Sequence, residues 1–341
     1  MNSSLKFIFA VVAVLVANDL SAEGGIWGAF FGGEHEFVCY TSVHRNFFLA
    51  IFGGVALAGI FAWSRFRLKS KAARELSEKN QVIEEQNKDI LDSIRYASRL
   101  QQALEPDPEE LKRMLPDSFF FLKPRNIVGG DFYFVEEHKG QVIIAAIDCT
   151  GHGVPGAFLT FIGHNALRNA LEKTDSPDPT RLLNAMNTEV KKSLGQQRAQ
   201  NELNDGMEVG LCMYDPISKI VHCAGAGTGL YHVRASEVKE IKAAKCSIGS
   251  IQEHVKEPPP THRLELLPGD SFYMSSDGIA DQFGGPQGKK FQRERMKKML
   301  EEIASQPASN QKAAVAEQIN SWMKGHEQTD DMLLVGVRVG G

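Results

Sequence analysis

The sequence predicts an α+β layered sandwich, carried behind a membrane-spanning helix and a helical linker. Three observations predict it. From residue 106 onward short apolar runs alternate with helical stretches. Between Asn46 and Ser64 no side chain carries a charge. Between these two regions an apolar residue recurs at every seventh position from Leu76 to Leu104. Strands in antiparallel succession with helices between them favour a layered sandwich over a doubly wound parallel sheet.

The chain has 341 residues, 43% of them hydrophobic and 23% charged, which supplies one sizeable core plus accessory segments and excludes a disordered chain. A formal net charge of -4 gives no reason to expect nucleic acid, because domains that bind it carry a basic excess or stripe. The five cysteines, Cys39, Cys149, Cys212, Cys223 and Cys246, show neither paired C-x-x-C spacing nor the density of a disulfide scaffold. A reducing compartment for most of the chain follows.

Leu5 to Ala17, with Lys6 near its start, has the length of a signal-peptide core and is short for a bilayer span. Residues 1–22 are therefore a signal peptide cleaved after Ala22 or an uncleaved signal anchor. Residues 23–46 form a short extracytoplasmic segment. Residues 47–64, with Phe47, Phe48, Leu49, Ile51, Phe52, Val55, Leu57, Ile60 and Phe61, are predicted to cross the membrane once. Arg65, Arg67, Lys69, Lys71 and Arg74 follow at once, and the positive-inside rule places everything after them in the cytoplasm.

Residues 65–105 form the linker, free of Gly and Pro from Ser70 to Glu105. With Leu76, Ile83, Ile90, Ala97 and Leu104 at d, the a positions are Ala73, Asn80, Asn87, Ile94 and Gln101. Asn at a selects a parallel two-stranded register, so a homodimer through the 70–105 helix is expected. The alternative is a single amphipathic helix lying on the following domain. Pro106 and Pro108 end the helix. In the remaining 106–341 domain, Ile127–Val135 and Gln141–Ile147 read as a hairpin of strands, and Val154–Glu172 and Pro179–Leu194 as helices. Glu208–Val233 holds further strands separated by Asp-Pro and Gly-rich turns. Ser271–Ser275 is another strand, Phe291–Ala304 and Lys312–Lys324 are surface helices, and Met332–Val339 is a closing strand.

A set of aspartates falls at the ends of these strands, most of them beside Gly or a second acid. They are Asp131 in Gly129-Gly130-Asp131-Phe132-Tyr133, Asp148 in Ile147-Asp148-Cys149-Thr150-Gly151-His152-Gly153, Asp277 in Ser275-Ser276-Asp277-Gly278, and the pair Asp330 and Asp331. Carboxylates on strand ends converge where the strands converge, and with no thiolate offered they suit Mg²⁺ or Mn²⁺. Two such cations about 3.5–4 Å apart can activate a bridging water toward phosphorus. One Asp-Gly pair is more often a plain turn, so the ordered combination carries the reading.

These motifs, with Gly151-His152-Gly153-Val154-Pro155, Asp205-Gly206-Met207, Asp330-Asp331-Met332-Leu333-Leu334 and Asp281-Gln282-Phe283-Gly284-Gly285, make the chain from about Pro116 to Val339 resemble the stage II sporulation protein E type of bacterial phosphatase in the protein phosphatase 2C (PPM) superfamily. The resemblance implies a β-sandwich flanked by helices in α/β/β/α layers, with two Mn²⁺ or Mg²⁺ ions at one end. It implies Asp148 bridging both metals, the Cys149 carbonyl on one, Asp277 and Asp330 on the other with Asp331 as a further metal residue, and Asp131 bound through the metals' waters. It also implies hydrolysis of phosphoserine or phosphothreonine on a partner protein, with an anti-sigma-factor antagonist of the STAS type as the substrate class, at the bacterial inner membrane. His152 has two readings, acid for the leaving alkoxide or structural hydrogen-bonder. Lys123 and Arg125 are either phosphate contacts or a solvated basic pair. Phe134 and Glu208 depart from the family pattern, where an acid and an Asp are common, and neither removes an expected ligand.

Three rival readings fit these residues less well. Gly129-Gly130-Asp131-Phe132 is similar to a diguanylate cyclase signature, but Phe132 stands where that signature needs an acid. Cys39 and Arg45 have the C-x₅-R spacing of cysteine phosphatases, yet the residues between them lack the glycines of a phosphate loop. A non-catalytic phosphoprotein-binding module with the same fold is the third, and the intact acid set argues against it.

Overall fold

The computed structural model describes residues 34–174, 178–195, 205–250 and 258–340, with side chains described from residue 45. The reading of residues 1–22 lies outside the described residues. The chain divides into two compact units, Met1–Gln86 and Asn87–Gly341.

Helix α1 runs from Glu34 to Gln102. Its part from Arg45 holds a stretch long and apolar enough to cross a membrane, and Phe47, Phe52, Leu57 and Phe61 on that stretch are exposed. The a and d positions of the linker divide in two. Leu76, Ile83 and Ile90 are exposed, whereas Ile94, Ala97, Gln101 and Leu104 are half-buried. The helix gives way to a turn ahead of Pro106. Asp107 then caps α2 (Pro108–Met114), its Oδ1 accepting the Glu109 N–H at 2.8 Å, with Pro108 in the first turn where its missing N–H costs nothing.

Two five-stranded antiparallel sheets follow. One has β2 (Asp131–His138), β3 (Gln141–Cys149), β4 (Met207–Asp215), β5 (Ile220–Ala226) and β8 (His262–Glu265) in that order. The other runs β1 (Ser118–Lys123), β12 (Met332–Arg338), β9 (Ser271–Ser275), β6 (Leu230–Arg234) and β7 (Glu237–Ile241). Helices α3 (Gly153–Lys173) and α4 (Pro179–Ser193) connect β3 to β4. After β9 come the single-turn α5 (Gly278–Asp281), a small hairpin of β10 (Phe283–Gly284) and β11 (Lys289–Lys290), then α6 (Arg293–Ile303) and α7 (Ala308–Met323).

Side-chain alternation along the strands sets the layers. Val142, Ile144 and Ala146 of β3 face Phe272 and Met274 of β9 and Leu333, Val335 and Val337 of β12 between the sheets. The opposite side of β3, Ile143, Ala145 and Ile147, packs on Leu167 and Leu171 of α3 and Leu182 and Met186 of α4. Tyr273 and Leu334 turn outward from the second sheet onto Met296, Leu300, Val315 and Ile319 of α6 and α7. The result is the α/β/β/α order that the family resemblance implies. Each buried Val, Leu, Ile, Phe or Met side chain among these contributes about 1.5–3 kcal/mol relative to exposure. Burial on both faces makes the central strands read as unbroken apolar runs, which is why they were legible.

Several boundaries differ from expectation. Strand β2 starts at Asp131 rather than Ile127, because the backbone of the preceding loop is bonded to a distant carboxylate, Asp331, instead of to a neighbouring strand. Strand β1, with its Phe119-Phe120-Phe121-Leu122 run, is an element beyond those expected from the sequence and pairs along its whole length with β12. The edge strands β7 and β8 are likewise additional to the expected elements, being short and half polar.

Candidate active site

The strand register builds the first half of the site. Asp131 of β2 stands opposite Asp148 of β3, and Asp148 stands opposite Glu208 of β4. Directly opposed residues share a face, with Cβ atoms roughly 4.5–5.5 Å apart. Three carboxylates therefore form a row across one end of one sheet. The second sheet supplies the rest, since Ser276 and Asp277 follow β9 while Asp330 and Asp331 precede β12.

Ser276 joins the two halves. Its Oγ donates to Asp131 Oδ2 at 2.6 Å and accepts the Leu333 N–H at 3.0 Å. Asp131 is only 3% exposed. Burial pushes its carboxyl well above the usual range, repulsion from Asp148 adds to the effect, and the Ser276 hydrogen bond opposes it. The Asp148 carboxyl is pushed up to about 7, first by burial and then by Asp277, Asp330 and Glu208. Burial and the neighbouring Asp281 and Asp330 raise Asp277; burial and Asp277 raise Glu208. Each carboxylate feels the next, so Asp148, Asp277 and Asp330 share one electrostatic cluster.

Such a cluster is costly to ionise without a counter-charge. Its donors are carboxylate oxygens, which suit a hard divalent cation. Among the described residues no group of three or more aspartate, glutamate, histidine or cysteine side chains is arranged to hold a metal ion by itself. An incomplete protein shell fits Mg²⁺ or Mn²⁺, which keep several waters. The Cys149 thiol is no rival donor: it is buried in the core against the helices, and burial holds it protonated.

Asp331 does different work from its neighbour. Its Oδ1 accepts the Arg125 N–H and its Oδ2 the Gly130 N–H, both at 2.6 Å, while its own N–H donates to Asp330 Oδ1 at 2.8 Å. The carboxylate is 3% exposed and is committed to backbone. It fastens the Gly129-Gly130 loop and, through Asp330, orients the last acid of the cluster. A Cβ on Gly130 would come within 2.5 Å of the Gly151 carbonyl oxygen, so only glycine lets the two loops cross there.

His152 lies between two glycines of left-handed backbone, Gly151 (φ 85°) and Gly153 (φ 67°), at the start of α3. Its Nδ1 is 3.2 Å from Asn126 Oδ1 and its Nε2 is 2.8 Å from Arg125 Nη1. An amide oxygen only accepts and a guanidinium only donates, so the proton belongs on Nδ1 and Nε2 accepts. The exposed Arg125 side chain is thus held by His152. Lys123 goes elsewhere: its Nζ donates to Asn320 Oδ1 on α7 at 3.2 Å. Glu208 and Ser276 complete the cluster. The sequence showed them as members of motifs, but their partners emerged only with the pairing of strands.

The chain matches the stage II sporulation protein E (SpoIIE) family over residues 138–340. It is similar to the SiaA PP2C domain of Pseudomonas aeruginosa, at 34% identity and a TM-score of 0.67, covering 74% of this chain and 98% of that one. The PP2C phosphatase domain of SpoIIE from Bacillus subtilis, with a fragment of its regulatory domain, shares the fold at 20% identity and a TM-score of 0.53, covering 66% of this chain and 61% of that one. The RsbU and RsbW domains of a Mycobacterium tuberculosis protein share it at 16% identity and a TM-score of 0.50, covering 67% and 62%. No curated sequence matches the chain. On the family match over more than half its length and on its likeness to the Pseudomonas domain, the chain belongs to the SpoIIE family of PPM-type (PP2C) serine/threonine phosphatases.

Proposed function

We propose that the chain is a catalytically competent, metal-dependent phosphatase that hydrolyses phosphoserine or phosphothreonine on a signalling protein. The observation that carries this reading is the position of Asp148, opposite both Asp131 and Glu208 in the sheet and within electrostatic reach of Asp277 and Asp330. Asp148, Asp277, Asp330 and the Cys149 carbonyl would hold the two Mn²⁺ or Mg²⁺ ions that the family resemblance implies. When bound, such ions lower the pKa of a shared water and neutralise charge on phosphoryl oxygens. Asp131, with one oxygen engaged by Ser276, would have its other oxygen left for water bound at that centre. Asp331 sets the loop that carries Asp131 and orients Asp330. Arg125, steadied by His152, presents guanidinium N–H groups to the incoming phosphate.

The substrate class follows from the family resemblance: a small phosphorylated anti-sigma-factor antagonist of the STAS type. Residues 47–64 anchor the chain in the bacterial inner membrane with residues 106–341 in the cytoplasm, supported by the apolar stretch and the basic residues after it. The exposed Leu76, Ile83 and Ile90 stripe pairs with a second copy as a parallel coiled coil.

The decisive assay is phosphate release from a phosphoserine peptide by full-length protein with added Mn²⁺. Asp148→Asn is expected to lose more than the roughly 10–100-fold that removing an outer-shell partner costs. Equal rates for the two proteins would overturn the proposal.

A further inference from the structure

A cleft of about 520 Å³ opens beside the acid cluster, with Glu208, Ser276 and Asp277 at one side. Its remaining lining includes Lys242, Lys245 and Arg293, none of which belongs to the acid cluster. All three side chains are exposed. The volume is that of an ordinary ligand site.

The charge balance of this cleft is informative. Lys242 and Lys245 make no ion pair among the described residues. The acid nearest to them in sequence, Glu240, is already paired with Lys297 Nζ at 2.8 Å. Arg293 opens α6, lines the cleft, and partly offsets the upward shift of both Asp277 and Glu208, so its guanidinium is within electrostatic reach of the acid cluster. Three cations thus surround a cavity whose own acids are either paired or gathered at the reacting end. Lys242 and Lys245, without acidic partners beside a phosphate-handling centre, attract further negative charge, and a peptide is the ligand that can bring phosphate and carboxylates together.

We infer that this cleft selects acidic residues flanking the phosphorylated side chain, so that the substrate segment is an acidic peptide. The inference rests on the phosphatase reading above and adds the chemistry of the flank. Lys242 and Lys245 receive the flanking carboxylates. Arg293 stands where flank and phosphate meet. The cleft lies to one side of the acid cluster, so acids on one side of the phosphoserine count and those on the other do not.

The test compares kcat/KM of the full-length protein for three phosphoserine peptides of equal length, with acidic residues before the phosphoserine, after it, or replaced by Ser and Ala. One acidic peptide is expected to exceed the neutral one by about tenfold, equivalent to ~1.4 kcal/mol, and by less at high salt. In Lys242→Glu/Lys245→Glu the same ratio is expected to fall to one or below. Because each ratio is internal to one protein preparation, partial misfolding does not shift it. Fluorescence anisotropy with the corresponding phosphonate peptides, which cannot be hydrolysed, should reproduce the order of affinities. Equal kcat/KM for all three peptides in the wild type, or an unchanged preference in the double variant, overturns the inference. Hydrolysis of p-nitrophenyl phosphate by the wild type separates the failures: if it proceeds while flank preference is absent, the flank inference alone is wrong. If it is absent as well, the phosphatase reading falls with it.

Discussion

The Asp331 carboxylate accepts the Gly130 N–H at 2.6 Å, across a sequence separation of 201 residues. Its other oxygen takes the Arg125 N–H, so one buried side chain ties the entrance of β12 to the loop that precedes β2. The acid cluster depends on that tie, because Asp131 is the next residue after Gly130.

Asp331→Ala should therefore destabilise the folded domain. It leaves two backbone donors without partners, at about 1–3 kcal/mol for each buried one. A fall in melting temperature and a fall in Mn²⁺-dependent activity are expected together in scanning calorimetry and phosphate-release assays. An activity loss with no change in melting temperature would instead make Asp331 a direct participant in the chemistry.

Gly278 offers a backbone test. A Cβ placed there would overlap the Asp331 carbonyl oxygen, so Gly278→Ala must push apart the ends of β9 and β12. Gly140 is the control, since its φ of 79° is unusual but nothing lies within 4 Å of its missing Cβ. Gly278→Ala is expected to lower the melting temperature well beyond Gly140→Ala, whose cost is confined to about 1–3 kcal/mol of local strain. Equal losses would contradict the close approach.

Metal dependence should vary with pH in a defined direction. The Asp148 carboxyl is pushed up to about 7, and Asp131, Asp277 and Glu208 are raised too. An acid whose folded-state pKa exceeds its unfolded value contributes stability that is complete below the unfolded pKa. That contribution is lost as pH rises through the folded value. The metal-free protein should thus lose the contribution of these groups between roughly pH 4 and 7. Divalent cations bind the ionised forms, so the rise in melting temperature on replacing EDTA with Mn²⁺ is expected to grow from pH 5.5 to pH 8. A pH-independent rise would contradict the burial of these acids at a shared site.

Arg125 and His152 should behave as one unit. His152 Nε2 accepts from Arg125 at 2.8 Å, so either alanine substitution releases the guanidinium. The double variant is expected to lose less kcat/KM than the product of the two single losses, with a coupling energy of about 0.5–3 kcal/mol. Strict multiplicativity would show His152 acting independently, as a proton donor would. Lys123→Ala is the contrast, expected to leave kcat/KM near wild type because its amine is bonded to Asn320.

The helical linker makes a further prediction. Leu76 and Ile83 are exposed along α1, and Leu76→Asp/Ile83→Asp is expected to convert a dimer of full-length protein in detergent to a monomer by analytical ultracentrifugation. An unchanged mass would remove the coiled coil from the proposal.

Much of this protein was legible in residue order because its physics is local. Apolar runs buried on both faces announced β3, β9 and β12, helical periodicity announced α3 and α4, and aspartates at strand ends marked Asp131, Asp148, Asp277 and Asp330. What residue order left open is decided by contacts across long separations. The pairing of β1 with β12 cannot be seen in the Phe119–Leu122 run itself. The division of labour between Asp330 and Asp331 depends on backbone donors roughly two hundred residues away. His152 acquires its tautomer from Asn126 and Arg125, and Lys123 its partner from α7. The sequence by itself determined which chemical groups exist and which strands and helices carry them. Tertiary structure alone decided which carboxylates face one another, because repulsion, burial and hydrogen bonding act through space and not along the chain.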